Sequence, residues 1–259
     1  MSINVANLKF RYGNRPILND ITFTAPPNCL LSILGPNGVG KSTLFRCILG
    51  LLRNYDGTIS VENTNVKTLS IKELAKLIAY IPQSHYPSFN FSVFDMVLMG
   101  TAVQISSISR PGTKQITLAE AALERVGIAH LKDRGYGQIS GGERQLVLMA
   151  RALVQESKIL ILDEPTANLD YGNQIRVLTQ IKTLAREGYT IIQSTHNPDQ
   201  TFMFSDHVLA IKDGNIVANG APKDIFSDEL IRDLYGVDVE LQNLYGGKAR
   251  ICIPKSIVG

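Results

Sequence analysis

The sequence is short of the features that mark secreted, membrane-spanning or nucleic-acid-coating chains. Only three cysteines occur, Cys29, Cys47 and Cys252, and their spacing suits no metal cluster. Two of them flank a glycine-rich loop on apolar, core-like stretches. Buried thiols in a reducing, cytoplasmic setting are therefore expected, not a disulfide framework. No run approaches the roughly 18 consecutive apolar residues of a membrane span. Met1-Ser2-Ile3-Asn4-Val5 lacks the basic start and long apolar core of a secretory leader, so no export signal is expected. The 26 basic and 23 acidic residues leave a net charge of +3, too slight to argue for nucleic acid as a partner. No internal repeat, low-complexity tract or charged tail is present. What remains is an ordinary globular composition, 44% hydrophobic and 19% charged, in 259 residues, enough for a sizeable core.

Against that plain background one stretch stands out. Gly35-Pro36-Asn37-Gly38-Val39-Gly40-Lys41-Ser42-Thr43 fits G-x-x-x-x-G-K-[ST], a phosphate-binding loop. Glycines let the backbone curl until successive N–H groups face phosphate oxygens. Lys41 then reaches the β- and γ-phosphates as a point charge. The Ser42 hydroxyl is the hard oxygen that Mg²⁺ prefers. The motif requires a strand before it and a helix after it, whose positive end faces the same anion. Cys29 to Leu34 reads as a buried strand, and Leu44 to Leu51 as a helix ended near Gly50. These flanks argue against the alternative of a glycine-rich turn that holds nothing.

Taken in order, Ile3 to Phe10 and Ile17 to Thr24 alternate apolar and polar residues and predict two half-buried strands around a Tyr12-Gly13-Asn14-Arg15 turn. Tyr12 in that turn either stacks on a nucleobase or is a hairpin aromatic. Asp56-Gly57 predicts a turn before a strand over Thr58 to Val61. Ser70 and Glu73 form a capping-box pattern that starts a helix through Leu77, and Ile78 to Ile81 is a strand closed by Pro82-Gln83. The aromatic stretch Tyr86 to Phe91 reads as a loop, either core or a docking surface. Ser92 to Gly100 and Thr117 to Val126 have helical spacing, with Gly127 as a stop. Residues 86–150 are thus expected to form a helical insertion in a sheet domain.

Two further stretches carry chemistry. Ser140-Gly141-Gly142-Glu143 opens a helix with a second capping box, and its glycines expose N–H groups at the helix's positive end, a second anion-binding geometry. Lys158 to Leu162 reads as a strand buried on both faces and ends in Asp163-Glu164. Ligands of parallel sheets sit at the carboxyl ends of strands. Asp163 is then placed to hold Mg²⁺ through water, and Glu164 to polarise a water for attack on a γ-phosphate. His196 follows the strand Thr190 to Thr195 and shares that edge. His85, His130 and His207 read as surface or packing residues. Helix is expected from Tyr171 to about Arg186, strands over His207–Ile211 and Asn215–Gly220, short helices from Pro222 to Leu234, and a hairpin around Gly246-Gly247.

Together these motifs resemble, over nearly the whole length, the ATP-binding subunit of ABC transporters. Gly35 to Thr43 looks like Walker A, and Ile159 to Glu164 like Walker B with its catalytic glutamate. Ile139-Ser140-Gly141-Gly142-Glu143 resembles the signature LSGGQ, departing from it at Ile139 and Glu143. Gln83 matches the Q-loop glutamine, Ala167 to Asp170 the D-loop, His196 the switch histidine and Tyr12 the adenine-stacking aromatic. The resemblance implies an α/β fold: a P-loop NTPase core with a mixed sheet (residues 1–85 and 151–226), an antiparallel N-terminal β subdomain, an inserted α-helical subdomain (86–150) and a C-terminal extension (227–259), all in one ABC ATPase domain. It implies ATP and Mg²⁺ as ligands. Catalytic roles fall to Glu164, His196, Gln83 and Lys41. Nucleotide contacts fall to Tyr12, Gly35, Pro36, Asn37, Gly38, Gly40, Lys41, Ser42, Thr43, Ser140, Gly141 and Gly142, and metal contacts to Ser42, Gln83 and Asp163.

The implied partners are a second copy in a head-to-tail ATP-bound dimer, integral membrane permease subunits and an extracytoplasmic substrate-binding protein. The expected place is the cytoplasmic face of the cell membrane, peripheral through the permease. Gly220 to Phe226, Leu234 to Val239 and Val97 to Gly100 are similar to ATPases that import iron-siderophore, haem or cobalamin, with molybdate and tungstate importers related. An exporter motor shares every nucleotide motif and stays open as an alternative. So does a non-transport ABC ATPase, although the insertion carries no sustained heptads.

Overall fold

The computed structural model describes residues 1–83, 90–105, 110–247 and 249–258. The chain opens with strands β1 (Ile3–Tyr12) and β2 (Arg15–Ala25), in which Ile3, Val5, Leu8, Phe10, Leu18, Ile21 and Phe23 are buried while most of their neighbours face out. Strict alternation breaks between Val5 and Leu8 and between Leu18 and Ile21. There Asn7 (φ 50°) and Asp20 (φ 58°) take left-handed backbone, and Asn7 Nδ2 donates to Asp20 Oδ1 at 3.0 Å. This is a bulge, the usual way to absorb one extra residue and return the apolar set to the core.

The bulge corrects one expectation. Asp56-Gly57 does not turn the chain; both residues belong to a strand. After β3 (Leu30–Leu34) and α1 (Lys41–Ile48), strand β4 (Asp56–Val61) runs beside β1, and their register slips between Ala6 and Lys9. Gly57 has φ 89°, and a Cβ there would lie 2.4 Å from the Asn7 carbonyl oxygen. Only glycine passes the bulged neighbour that closely. Helix α1 also begins earlier than the expected Leu44, because Gly40 at φ 106° turns the loop directly into the first helical residue, Lys41.

Most of the remaining elements follow the sequence; the strand Thr64–Asn65 and the helices Pro198–Phe204 and Lys255–Val258 are not expected from it. In order, the remaining elements are β5 (Thr64–Asn65), α2 (Ile71–Leu77), β6 (Ile78–Ile81), α3 (Val93–Leu98), α4 (Thr113–Arg125), α5 (Gly141–Leu153), β7 (Ile159–Leu162), α6 (Tyr171–Arg186), β8 (Thr190–Thr195), α7 (Pro198–Phe204), β9 (His207–Lys212), β10 (Asn215–Gly220), α8 (Pro222–Ile225), α9 (Asp228–Tyr235), β11 (Val239–Leu244), β12 (Ala249–Pro254) and α10 (Lys255–Val258). The capping box at α2 is present, with Ser70 N donating to Glu73 Oε2 at 2.8 Å and Glu73 N to Ser70 Oγ at 3.2 Å. Helix α4 starts before the expected Thr117, because Gln115 Oε1 accepts from Gly112 N at 3.1 Å and caps an earlier turn. His85 and the aromatics Tyr86 and Phe89 lie outside the described residues.

Two larger sheets result. One is antiparallel, in the order β2-β1-β4-β5; the other has the order β10-β9-β3-β8-β7-β6, parallel from β9 to β6 with β10 antiparallel at its edge. Successive residues of a strand point to opposite faces, so the parallel strands feed two cores. Leu31, Ile33, Ile159 and Ile161 join α1 and the antiparallel sheet, whereas Leu30, Leu160 and Leu162 join α3, α4, α5 and α6. A third cluster sits where α9, β11 and β12 cover the end of β9. Because β3, β6, β7 and β8 run the same way, the segments that follow them emerge at one edge. Among the described residues no helix is long and apolar enough to cross a membrane. Cys29 and Cys47 are buried free thiols, and burial pushes them up to about 11 and about 12.

Candidate functional site

That shared edge collects the loop after β3, Gln83 after β6, Asp163 and Glu164 after β7, and His196 after β8. The loop is folded as tightly as its glycines allow. A Cβ on Gly35 would lie 2.3 Å from the Ile211 carbonyl oxygen, and one on Gly40 would meet Leu18 Cδ2 at 2.9 Å and the Ile17 carbonyl oxygen at 3.0 Å. Lys41 is only 5% exposed. Its Nζ donates to the carbonyls of Gly35 at 2.7 Å and Pro36 at 2.9 Å and lies 3.6 Å from Glu164 Oε1. Burial holds the ammonium below its ordinary range, and Glu164 opposes that shift. A desolvated cation beside one carboxylate is well matched to a polyanion that brings more negative charge.

The two acids are fixed differently. Asp163 is 8% exposed. Its Oδ1 accepts from Ser194 Oγ at 2.6 Å and its Oδ2 from the Tyr80 hydroxyl at 3.4 Å. Glu164 sits in left-handed backbone at φ 46°, uncommon for a side-chain-bearing residue and frequent at functional sites. Its N–H donates to Ser194 Oγ at 2.9 Å. Its Oε2 accepts from Gln83 Nε2 at 3.3 Å and lies 3.5 Å from His196 Nδ1.

Two adjoining cavities open here. The larger, ≈ 530 Å³, falls within the roughly 300–1,000 Å³ of small-molecule sites. Asn37, Gly38, Gly40, Lys41, Ser42 and Thr43 of the loop line it, and Gln83 and Glu164 close one side. Tyr12 and Arg15 stand at its rim, with the Tyr12 ring edge-to-face on Phe10 at 4.8 Å. The second cavity, ≈ 260 Å³, shares Asn37, Gln83 and Glu164 and continues to Thr166, His196 and Gln200. Gly35 and Pro36 contribute through the carbonyls that hold Lys41.

Ser140, Gly141 and Gly142 line neither cavity. The capping box forms, with Ser140 N donating to Glu143 Oε2 at 2.7 Å and Glu143 N to Ser140 Oγ at 3.3 Å. The turn packs on α6 of its own chain: a Cβ on Gly142 would fall 2.3 Å from Asn173 Cγ. Elsewhere, His207 Nε2 bonds Asn219 Oδ1 at 2.7 Å, a packing role. The sequence reading missed Arg15, Ser194 and Tyr80. Arg15 neighbours Tyr12 in the predicted turn, so position was a usable signal. Ser194 and Tyr80 lie in strands and look like ordinary strand residues.

The donor set suits a divalent cation of one kind. Among the described residues no group of three or more His, Cys, Asp or Glu side chains comes together. Asp163 and the Ser42 hydroxyl offer hard oxygens without a protein cage. Mg²⁺ fits such a site, because it keeps waters and shares substrate phosphates.

Comparison with known proteins agrees with this geometry. The family model described as "ABC transporter" matches residues 18–167. A Helicobacter pylori protein named "Probable iron chelatin transport ATP-binding protein" is 40% identical over 242 residues, covering 93% of this chain and 95% of that one. The "Hemin import ATP-binding protein HmuV" of Bordetella pertussis is 34% identical over 250 residues, covering 93% and 94%. Among solved structures, one described as "An inward-facing conformation of a putative metal-chelate type ABC transporter" aligns with a TM-score of 0.87 at 30% identity over 99% of both chains. An ATP-binding cassette in its ADP conformation aligns with a TM-score of 0.82 at 26% identity, covering 91% of this chain and 98% of that one. On the ordered motifs, the gathering of the phosphate loop, Gln83, Glu164 and His196 at two adjoining cavities, and these matches, the chain belongs to the ABC transporter family as an ATP-binding, ATP-hydrolysing subunit.

Proposed function

We propose that this subunit powers a membrane importer of a metal chelate, with iron chelates and haem the foremost candidates. The observation that carries the reading is end-to-end similarity to proteins named for iron chelatin transport and hemin import, at 40% and 34% identity. In this reading the adenine stacks on Tyr12, and the loop N–H groups and Lys41 hold the phosphates. Asp163, Ser42 and Gln83 hold Mg²⁺, which when bound neutralises charge on the β- and γ-phosphate oxygens. Glu164 takes the proton of the attacking water, and His196, its Nδ1 3.5 Å from Glu164 Oε2, orients that carboxylate.

The reading has two subunits paired head to tail. The placement of Ser140, Gly141 and Gly142 away from their own chain's cavity supports this, since a partner's helix start then completes each site. Gln83 relays the nucleotide state to the helical insertion, residues 86–150, which docks on permease subunits. A substrate-binding protein delivers the chelate from outside, and the ATPase rests on the cytoplasmic face through its permease.

The test is elemental. Cells carrying wild-type protein and Lys41→Ala are compared by mass spectrometry of metal content under metal limitation. A selective fall in iron in the variant is the expected result. A fall confined to cobalt, or to molybdenum and tungsten, would move the cargo to a related chelate or oxyanion. Unchanged contents of all these metals would overturn metal import while leaving ATP hydrolysis standing.

A further inference from the structure

Leu234-Tyr235-Gly236-Val237 stood out in the sequence, yet it lines neither cavity of the nucleotide site. Tyr235 is the last residue of α9, which ends as Gly236 turns left-handed at φ 69°. Its ring packs into the cluster of Leu34, Val208, Phe226 and Val239. Its hydroxyl donates to the backbone carbonyl of His196 at 3.0 Å. The same C-terminal segment grips the helix that follows His196. The N–H of Cys252 donates to Asp199 Oδ1 at 2.9 Å, and the Arg250 guanidinium stands 5.1 Å from the Phe202 ring centroid.

The His196 ring needs such support. Its side chain is 52% exposed, and its Nδ1 has Glu164 Oε2 as a neighbour at 3.5 Å. A half-exposed ring at that range is directed mainly by its backbone. On one side that backbone continues from β8; on the other it enters α7, where Asn197 caps the helix by accepting from Gln200 N at 2.9 Å. The Tyr235 hydroxyl meets the backbone between these two anchors, at the carbonyl of His196 itself. A tyrosine rooted in a packed cluster has few rotamers to choose from, so it fixes the carbonyl it holds.

We propose that Tyr235 is a positioning residue for ATP hydrolysis, acting through His196, and that the end of α9 thereby helps set the turnover of the nucleotide site. This rests on the reading that His196 orients Glu164. The test is a double-mutant cycle on the full chain, with steady-state ATPase rates and ATP affinities for wild type, Tyr235→Phe, His196→Ala and the pair. Tyr235→Phe removes one oxygen and keeps the ring in its cluster. It is expected to lower kcat by about three- to tenfold, the worth of one hydrogen bond, with KM for ATP within about twofold. In the His196→Ala background the same change is expected to leave kcat unaltered. An unchanged kcat in Tyr235→Phe, an equal loss in both backgrounds, or a KM that rises in step with the loss would overturn the proposal. Wild-type turnover in His196→Ala would instead overturn the role of His196 on which it rests.

Discussion

Ser194 offers the sharpest test of how the strand ends are held. It is fully buried, donates to Asp163 Oδ1 at 2.6 Å and accepts from Glu164 N at 2.9 Å. Ser194→Ala removes both contacts and adds no bulk. A buried hydrogen bond to a charged group contributes about 1.5–3 kcal/mol, and an orphaned buried N–H costs roughly 1 kcal/mol more. The sum, about 2.5–4 kcal/mol, corresponds in a chain of this size to a fall of roughly 5–16 °C in Tm. Activity is expected to fall by about tenfold or more, because Asp163 keeps only the long Tyr80 contact at 3.4 Å and Glu164 loses the anchor of its left-handed backbone. Calorimetry without nucleotide or metal reads the first effect. Steady-state ATPase rates read the second, and the gain in ATP affinity on adding Mg²⁺ is expected to shrink with them. A Tm within about 2 °C of wild type, with the Mg²⁺-dependent gain intact, would refute the reasoning: the two contacts would then be replaceable by solvent or by relaxation of the strand ends.

Four further outcomes are expected. Glu143→Gln should leave ATP turnover within about threefold, since a neutral amide can make the same cap to Ser140. The Ser140 N–H holds the Glu143 carboxyl below the usual range. The ionised cap therefore stabilises the chain above the unfolded carboxyl pKa and is lost as pH falls through the lower folded value. Urea midpoints of wild type and variant should draw together below about pH 4, by a small amount because the group is only partly buried. Glu164→Gln protein should form a dimer in ATP and Mg²⁺ on size-exclusion chromatography with light scattering, and a monomer at high concentration would count against pairing through the nucleotide alone. Iodoacetamide at pH 8 should leave the native chain unlabelled by mass spectrometry and label it in urea, because burial pushes Cys29 up to about 11 and Cys47 and Cys252 up to about 12.

The parallel sheet and its loop were legible because their signals are local. A run such as Ile159-Leu160-Ile161-Leu162 can satisfy two cores only as a doubly covered strand, and G-x-x-x-x-G-K-S carries its own geometry. The misread Asp56-Gly57 shows the converse. That dipeptide has turn composition, and what makes it part of a strand is the approach of Gly57 to Asn7, far away in the chain. Ser194 and Tyr80 were invisible for a related reason. Each is one polar residue in a strand, and its partner, Asp163, comes from a neighbouring strand end. Arg15 at the cavity rim could have been found, since it follows Tyr12 across a two-residue turn.

The contact between Gly142 and Asn173 has a mechanical side. Asn173 is tied to Asp170 by two hydrogen bonds, at 2.9 and 2.7 Å, and fills the space where any larger residue at 142 would stand. The starts of α5 and α6 therefore mesh like two teeth. The Ala167 N–H donates to the Glu164 carbonyl at 3.1 Å, so the gear's far side ends on the residue beside the nucleotide cavity. A side chain at 142 would have to displace Asn173, so the two helix starts interlock, and residues 164 to 170 join that interlock to the edge of the nucleotide cavity.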